Sequence, residues 1–113
     1  MSDYPREECG VVGISTNVDA SRLAFFALYA IQHRGQESAG LASYNDKIQI
    51  KTGMGLISQA LQESDIENLQ GSFSIGHTRY STTGSTKIEN AQPISCMVGN
   101  TEIALSHNGN VIN

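Results

Sequence analysis

The chain has 113 residues, of which 39% are hydrophobic, with two cysteines and a formal net charge of -4. The negative charge argues against a nucleic-acid partner, because binding to a phosphate backbone usually needs a basic patch. No apolar run reaches the roughly 20 residues that span a bilayer, and the first residues lack the apolar centre of a secretory signal, so we expect a cytoplasmic protein without membrane contact.

The first predicted elements are a strand and a helix. Gly10 to Ser15 is a short apolar run with β-branched residues, which is typical of a buried strand. A helix is predicted from Ala20 to His33, with Asp19 at its N-cap and Gly35 at its end. Its apolar residues occupy nearly every face, so we expect it to be sandwiched between two layers.

Two hairpins are predicted further along the chain. In the first, strands Gly40 to Tyr44 and Lys47 to Thr52 meet at the turn pair Asn45-Asp46. In the second, strands Ile94 to Val98 and Glu102 to Leu105 are separated by a Gly-Asn turn. Adjacent hairpins indicate an antiparallel sheet, so the mixed elements predict an α+β fold.

A second helix and a further strand are predicted between the hairpins. Leu56 to Leu69 has helical spacing, with Ser64 as an internal cap. The expected apolar contacts of this helix are Ile57, Leu61 and Leu69. Ser72 to Thr78 is predicted as a strand, and it leads into a polar loop from Tyr80 to Asn90.

Cys9 directly follows an eight-residue leader that ends at Glu8. If the leader is removed, Cys9 carries a thiol with a pKa of roughly 8.5 and an α-amine with a pKa of roughly 7.7–8.0. The amine can then take the proton of the thiol near neutral pH, so that one residue supplies nucleophile and base. The alternative is a small buried hydrophobe at the start of a strand. The cysteine and histidine spacing suggests no zinc, and we expect no metal in this segment and reduced thiols.

Four polar clusters each lie at the end of an apolar element. They are His33 to Gly40, Gly76 to Gly84, Asn90 to Pro93 and Ser106 to Asn110. Each has an ordinary structural explanation, namely a helix C-terminus, a surface loop or a turn. Residue chemistry alone therefore leaves both the structural and the functional interpretation of each cluster open.

Two of the clusters contain side chains with a defined recognition chemistry. Arg79 offers a planar fork that suits a carboxylate, and the neighbouring hydroxyls suit the other polar groups of a small amino acid. The side-chain amide of Asn108 and the N–H of Gly109 are suitable donors to an oxyanion. Removal of one such donor typically costs about 10²- to 10³-fold in rate.

Five motifs together resemble those of the amidophosphoribosyltransferases, also called glutamine phosphoribosylpyrophosphate amidotransferases. In chain order they are Cys-Gly-Val-Val-Gly-Ile, Gln-His-Arg-Gly-Gln-Glu-Ser-Ala-Gly, Gly-His-Thr-Arg-Tyr-Ser-Thr-Thr-Gly, Asn-Ala-Gln-Pro and His-Asn-Gly-Asn. The resemblance implies an N-terminal-nucleophile hydrolase fold, a four-layer αββα sandwich that is incomplete in this chain. Residues 1–8 would be a propeptide, and residues 9–113 the front part of a class II glutamine amidotransferase domain, with the rest of that domain and the phosphoribosyltransferase domain absent.

The resemblance also implies roles for individual residues. Cys9 would be the nucleophile that attacks the side-chain amide of glutamine, and Asn108 and Gly109 would form the oxyanion hole. Arg79 would hold the α-carboxylate of glutamine, with Thr82 nearby. The remaining implied members of the substrate shell are Arg34 and Tyr80. His77 lies in the same motif, and we interpret it as structural.

The implied activity of the full-length enzyme joins two reactions. Glutamine is hydrolysed to glutamate and ammonia, and the ammonia converts phosphoribosyl pyrophosphate to 5-phosphoribosylamine and pyrophosphate, the first committed step of purine synthesis. The resemblance implies no cofactor in this segment, Mg²⁺ in the absent phosphoribosyltransferase domain, an iron–sulfur cluster in some members, and a homo-oligomer, expected to be a tetramer. We expect the 113-residue chain by itself to be inactive.

This interpretation has two alternatives. Glutamine–fructose-6-phosphate transaminase shares the glutaminase fold, but its motifs read Tyr-Arg-Gly-Tyr-Asp and Thr-Arg-Trp-Ala-Thr-His-Gly, unlike the sequence from His33 to Glu37 and from Thr78 to Gly84 here. The other alternative is an inactive fragment. The acidic residue that binds the α-amine of glutamine in the family would lie beyond Asn113, and half a sandwich would expose sheet edges and apolar faces.

Overall fold

The computed structural model describes residues 10–32, 36–80, 88 and 91–107. Its main sheet contains four strands, β1 (Gly10–Ser15), β2 (Ser38–Asn45), β3 (Lys47–Met54) and β4 (Phe73–Arg79). The sheet is antiparallel, with the strand order β1-β4-β2-β3. All four strands were predicted: β1 with the observed bounds, β4 displaced by one residue, and both strands of the first hairpin shorter than observed. The turn residue Asp46 adopts a positive φ of 68°, which aspartate tolerates better than most residues.

One face of the main sheet is covered by α1 (Ala20–Ile31). The helix packs through a stripe of small and apolar residues, Ala20, Ser21, Ala24 and Leu28, all fully buried. Gly76 on β4 makes room for this contact, because a Cβ there would lie 2.8 Å from Leu28 Cδ1 and 2.9 Å from Leu41 Cδ2. The glycine thus allows the helix to approach the centre of the sheet.

The prediction that α1 is sandwiched between two layers is wrong for the described residues. Leu23, Phe26 and Tyr29 lie opposite the sheet and are 45%, 58% and 56% exposed. Because residues three apart share a face of a helix, these three side chains form a second apolar stripe. No layer of the described residues covers this stripe.

Both ends of α1 differ in detail from the prediction. Asp19 occupies the N-cap position, but its side chain makes no capping hydrogen bond. Instead its carboxylate accepts a hydrogen bond from Nε of Arg22 at 3.0 Å, and Arg22 also pairs with Glu63. The helix ends at Ile31, before the predicted end, because Gln32 is extended and its Oε1 accepts the N–H of Ile57 at 3.1 Å.

The single helix predicted over residues 56–69 is wrong, since two short helices are present, α2 (Ile57–Ala60) and α3 (Glu63–Asn68). Leu61 between them has an extended backbone and is only 2% exposed. Burial of Leu61 therefore interrupts the helix. Asp65 Oδ2 accepts the N–H of Gln62 at 2.8 Å to begin α3, so Ser64 is not the cap. The predicted contacts are confirmed as buried: Ile57, Leu61 and Leu69.

The second predicted hairpin forms a separate sheet of β5 (Ile94–Val98) and β6 (Thr101–Leu105). It lies over the other face of the main sheet and leaves an opening of about 480 Å³, whose walls include Phe73, Ile75 and Ile103. The α+β class with antiparallel sheets is confirmed, and the described residues supply a helical layer and two sheet layers. No helix in the described part of the chain is long and apolar enough to cross a membrane.

Candidate active site

Two of the predicted site residues, Arg79 and Tyr80, belong to the described residues. The others lie outside them, as does the predicted propeptide of residues 1–8: Cys9, Arg34, Thr82, Asn108 and Gly109. Two described residues adjoin them in the sequence: Gly10 follows Cys9, and His107 precedes Asn108.

Gly10, the residue that directly follows Cys9, lies opposite Thr78 in the pairing of β1 with β4. Its backbone N–H donates a hydrogen bond to Thr78 Oγ1 at 3.2 Å. A Cβ on Gly10 would lie 2.5 Å from Ile31 Cδ1, so the side chain of α1 closes over this position. The start of β1 is therefore fixed opposite Thr78, the residue that directly precedes Arg79 in β4.

Arg79 ends β4, opposite Ser38 at the start of β2. Among the described residues, neither the buried Nε of Arg79 nor the buried Oγ of Ser38 has a hydrogen-bond partner. Tyr80 follows and is 4% exposed. A buried polar group without a partner costs about 1–3 kcal/mol, so these two donors suit a polar ligand that would supply acceptors.

The first polar cluster reaches the same end of the sheet. The N–H of Glu37 donates to the backbone carbonyl of Arg79 at 2.8 Å. Gln36 is buried, and its Nε2 donates to the carbonyl of Gly55 at 3.0 Å. These bonds fix the two residues that directly precede β2. The described half of this cluster therefore has a structural role beside Arg79.

His77 is fully buried on β4 and contacts the chain after β6. Its Nε2 lies 2.9 Å from the carbonyl oxygen of His107. Because a carbonyl only accepts hydrogen bonds, Nε2 carries the proton. Burial lowers the pKa of His77 below its ordinary value of 6.5; the hydrogen bond to the His107 backbone opposes this shift only in part, and the charge of Arg79 acts in the same direction as burial. The imidazole is therefore neutral near pH 7, in agreement with a structural role.

This lowered pKa predicts a pH dependence of stability. Below pH 6.5 the unfolded chain binds a proton at His77 before the folded chain does, so the free energy of unfolding should fall as the pH drops, by at most about 1.4 kcal/mol per pH unit. Above pH 6.5 His77 is mainly neutral in both the folded and the unfolded chain, so its titration no longer lowers the free energy of unfolding. A His77→Gln variant keeps a donor but does not titrate, so its urea midpoint should change less between about pH 8 and about pH 5.5. Equal changes in both proteins would contradict this assignment.

Gln92 is the functional candidate that the sequence did not reveal. The motif from Asn90 to Pro93 was interpreted as a turn, yet Gln92 is only 6% exposed. Its Oε1 accepts the backbone N–H of His107 at 2.7 Å. Its backbone carbonyl lies against Gly40, where a Cβ would overlap with it. Membership of a family motif was the one signal that pointed to this residue.

Three residues that flank or form the predicted site thus meet near the end of β4. Gly10 pairs with Thr78, Arg79 follows Thr78, and His107 is hydrogen-bonded to His77. Gly10 adjoins the predicted nucleophile, and His107 adjoins the predicted oxyanion hole. Within residues 10–32, 36–80, 88 and 91–107, no three histidine, cysteine or acidic side chains are grouped to hold a metal ion.

Comparison with known proteins identifies close relatives. No family model matches the chain. It is 48% identical over 113 residues to an amidophosphoribosyltransferase of Synechococcus elongatus, covering 98% of this chain and 23% of that protein. It is 50% identical over 107 residues to one of Archaeoglobus fulgidus, covering 93% and 23%. The solved glutamine phosphoribosylpyrophosphate amidotransferase from B. subtilis matches with a TM-score of 0.74 and 34% identity, over 85% of this chain and 21% of that one.

The fold is that of the glutamine amidotransferases with an N-terminal nucleophile. More specifically, nearly the whole chain is homologous to the N-terminal part of the amidophosphoribosyltransferases, and the resemblance predicted from its motifs is confirmed. The chain spans only 21–23% of the length of these relatives. The transaminase alternative is not favoured by these matches.

Proposed function

We propose that this segment is the front part of the glutaminase half of an amidophosphoribosyltransferase. The observation that carries the proposal is the convergence of Gly10, Arg79 and the His107 backbone near the end of β4. This convergence supports a single site, because Gly10 and His107 are the sequence neighbours of the proposed nucleophile and of the proposed oxyanion hole, and Arg79 is the proposed ligand of the substrate carboxylate. The 48% identity to an amidophosphoribosyltransferase supports the same function.

The reaction begins at Cys9 after removal of the leader. Its α-amine takes the proton of the thiol, and the thiolate attacks the δ-carbonyl of glutamine. The side-chain amide of Asn108 and the N–H of Gly109 stabilise the resulting oxyanion. The ammonium of Cys9 returns the proton to the departing ammonia, and water hydrolyses the glutamyl thioester to release glutamate and regenerate the thiol.

Arg79 orients the substrate during these steps. A guanidinium at the end of β4 can bind the α-carboxylate of glutamine through two parallel hydrogen bonds. Its Nε is buried and has no partner among the described residues, so a donor is ready for this contact. Thr82, Arg34 and Tyr80 would complete the shell around glutamine.

The second reaction belongs to the full-length protein. Ammonia displaces pyrophosphate from phosphoribosyl pyrophosphate and gives phosphoribosylamine in the phosphoribosyltransferase domain, where Mg²⁺ is expected. We place the enzyme in the cytoplasm and expect a homotetramer. An iron–sulfur cluster, where one is present, would belong to the rest of the full-length protein.

The proposal predicts a processed N-terminus. Intact-mass measurement of the active full-length protein should show loss of Met1 to Glu8, because only a free α-amine on Cys9 can serve as the base. The same preparation should hydrolyse glutamine and form phosphoribosylamine from phosphoribosyl pyrophosphate. An active enzyme that retains the leader would contradict the proposed nucleophile.

A further inference from the structure

The backbone of His107 is held from both sides by buried side chains. Oε1 of Gln92 accepts its N–H at 2.7 Å, and Nε2 of His77 donates to its carbonyl oxygen at 2.9 Å. We call these two contacts the His107 clamp. His107 directly precedes Asn108, the proposed donor of the oxyanion hole.

Both sides of the clamp are fixed to the main sheet. His77 is fully buried on β4 and lies opposite Gly40 on β2. The backbone carbonyl of Gln92 lies against the same Gly40, which leaves no space for a side chain there. The paired residues His77 and Gly40 at the centre of the sheet therefore anchor both contacts. Neither contact can shift without displacing packed backbone.

We propose that Gln92 and His77 are positioning residues that align the oxyanion hole through the backbone of His107. This inference depends on the proposed function of Asn108 and Gly109. Oxyanion donors act when they lie about 2.7–3.1 Å from the developing charge, and a displacement of about 1 Å can cost about 100-fold in rate. A residue whose backbone N–H and carbonyl are both hydrogen-bonded is suited to that requirement.

The test uses a pair of substitutions at Gln92 in the full-length protein. Gln92→Met keeps the length of the side chain but removes the acceptor, whereas Gln92→Glu keeps an acceptor oxygen. We expect Gln92→Met to lower the glutaminase kcat about 10- to 100-fold with KM changed less than about 2-fold, because oxyanion contacts strengthen in the transition state. Gln92→Glu should recover most of this loss, and ammonia-dependent synthesis should be unchanged in both.

Gln59→Met is the matched control. It removes the same kind of bond, a side-chain oxygen that accepts a backbone N–H at 2.8 Å, at the exposed start of α2. Its glutaminase kcat should equal that of the parent. If Gln92→Met also loses ammonia-dependent synthesis through misfolding, His77→Leu and His77→Gln test the carbonyl side of the clamp with the same readouts.

Hydrogen exchange separates failure of this proposal from failure of the proposed function. The His107 amide should exchange faster in Gln92→Met than in the parent, whether or not the protein hydrolyses glutamine. Equal exchange rates would overturn the clamp. An unchanged glutaminase kcat in Gln92→Met would overturn its positioning role, whereas a parent enzyme without glutaminase activity would contradict the proposed function itself.

Discussion

Replacement of Cys9 by serine in the full-length protein should lower glutamine-dependent synthesis at least about 10³-fold while ammonia-dependent synthesis continues. A thiol with an ordinary pKa of roughly 8.5 forms a thiolate near neutral pH, whereas a serine hydroxyl does not. Externally supplied ammonia bypasses the nucleophile, so the second reaction does not need it. Both rates can be measured on one preparation by following phosphoribosylamine formation.

Cys96→Ser provides the matched control for this variant. Cys96 is a free, exposed thiol on β5, and the same atom exchange there should leave both reactions unchanged. If the Cys9→Ser enzyme kept its glutamine-dependent rate, the nucleophile would lie elsewhere. If it lost both reactions equally, Cys9 would be required for the structure rather than for glutamine hydrolysis.

The elements that were predicted well depend on local patterns. The strand from Gly10 to Ser15 and both hairpins follow from apolar runs, alternation and turn pairs, which act over a few residues. The break in the helix at Leu61 could not be predicted in this way. It arises because Leu61 is buried against the core, and this tertiary contact overrides the helical spacing of its neighbours.

The site shows the same division between local and long-range information. Family motifs predict a substrate-binding role for Arg79, because its residue type and its neighbours are local features. The strand order places Gly10 opposite Thr78, 68 residues away along the chain, and no local pattern encodes that pairing. The bond between Gln92 and His107 is equally invisible in the sequence, since it joins a motif that resembles a simple turn to a strand end.

Substitution of Arg79 should weaken the use of glutamine selectively. Loss of two charge-assisted hydrogen bonds, each worth about 1.5–3 kcal/mol, predicts a decrease in kcat/KM for glutamine of about 10²- to 10⁴-fold in Arg79→Met. Arg79→Lys keeps the charge but not the planar fork, so it should recover only part of this loss. The effect should lie mainly in KM, because the carboxylate is bound in both the ground state and the transition state.

Arg22→Met is the appropriate comparison for Arg79→Met, since it removes a guanidinium of the same size from an exposed ion-pair network with Asp19 and Glu63. Exposed ion pairs contribute little to stability, so this variant should retain the parental kcat/KM. Ammonia-dependent synthesis should persist in all three variants. An Arg79→Met enzyme with an unchanged KM for glutamine would show that another residue binds the α-carboxylate, and Ser38, which lies opposite Arg79 with a buried hydroxyl, would then be the next residue to substitute.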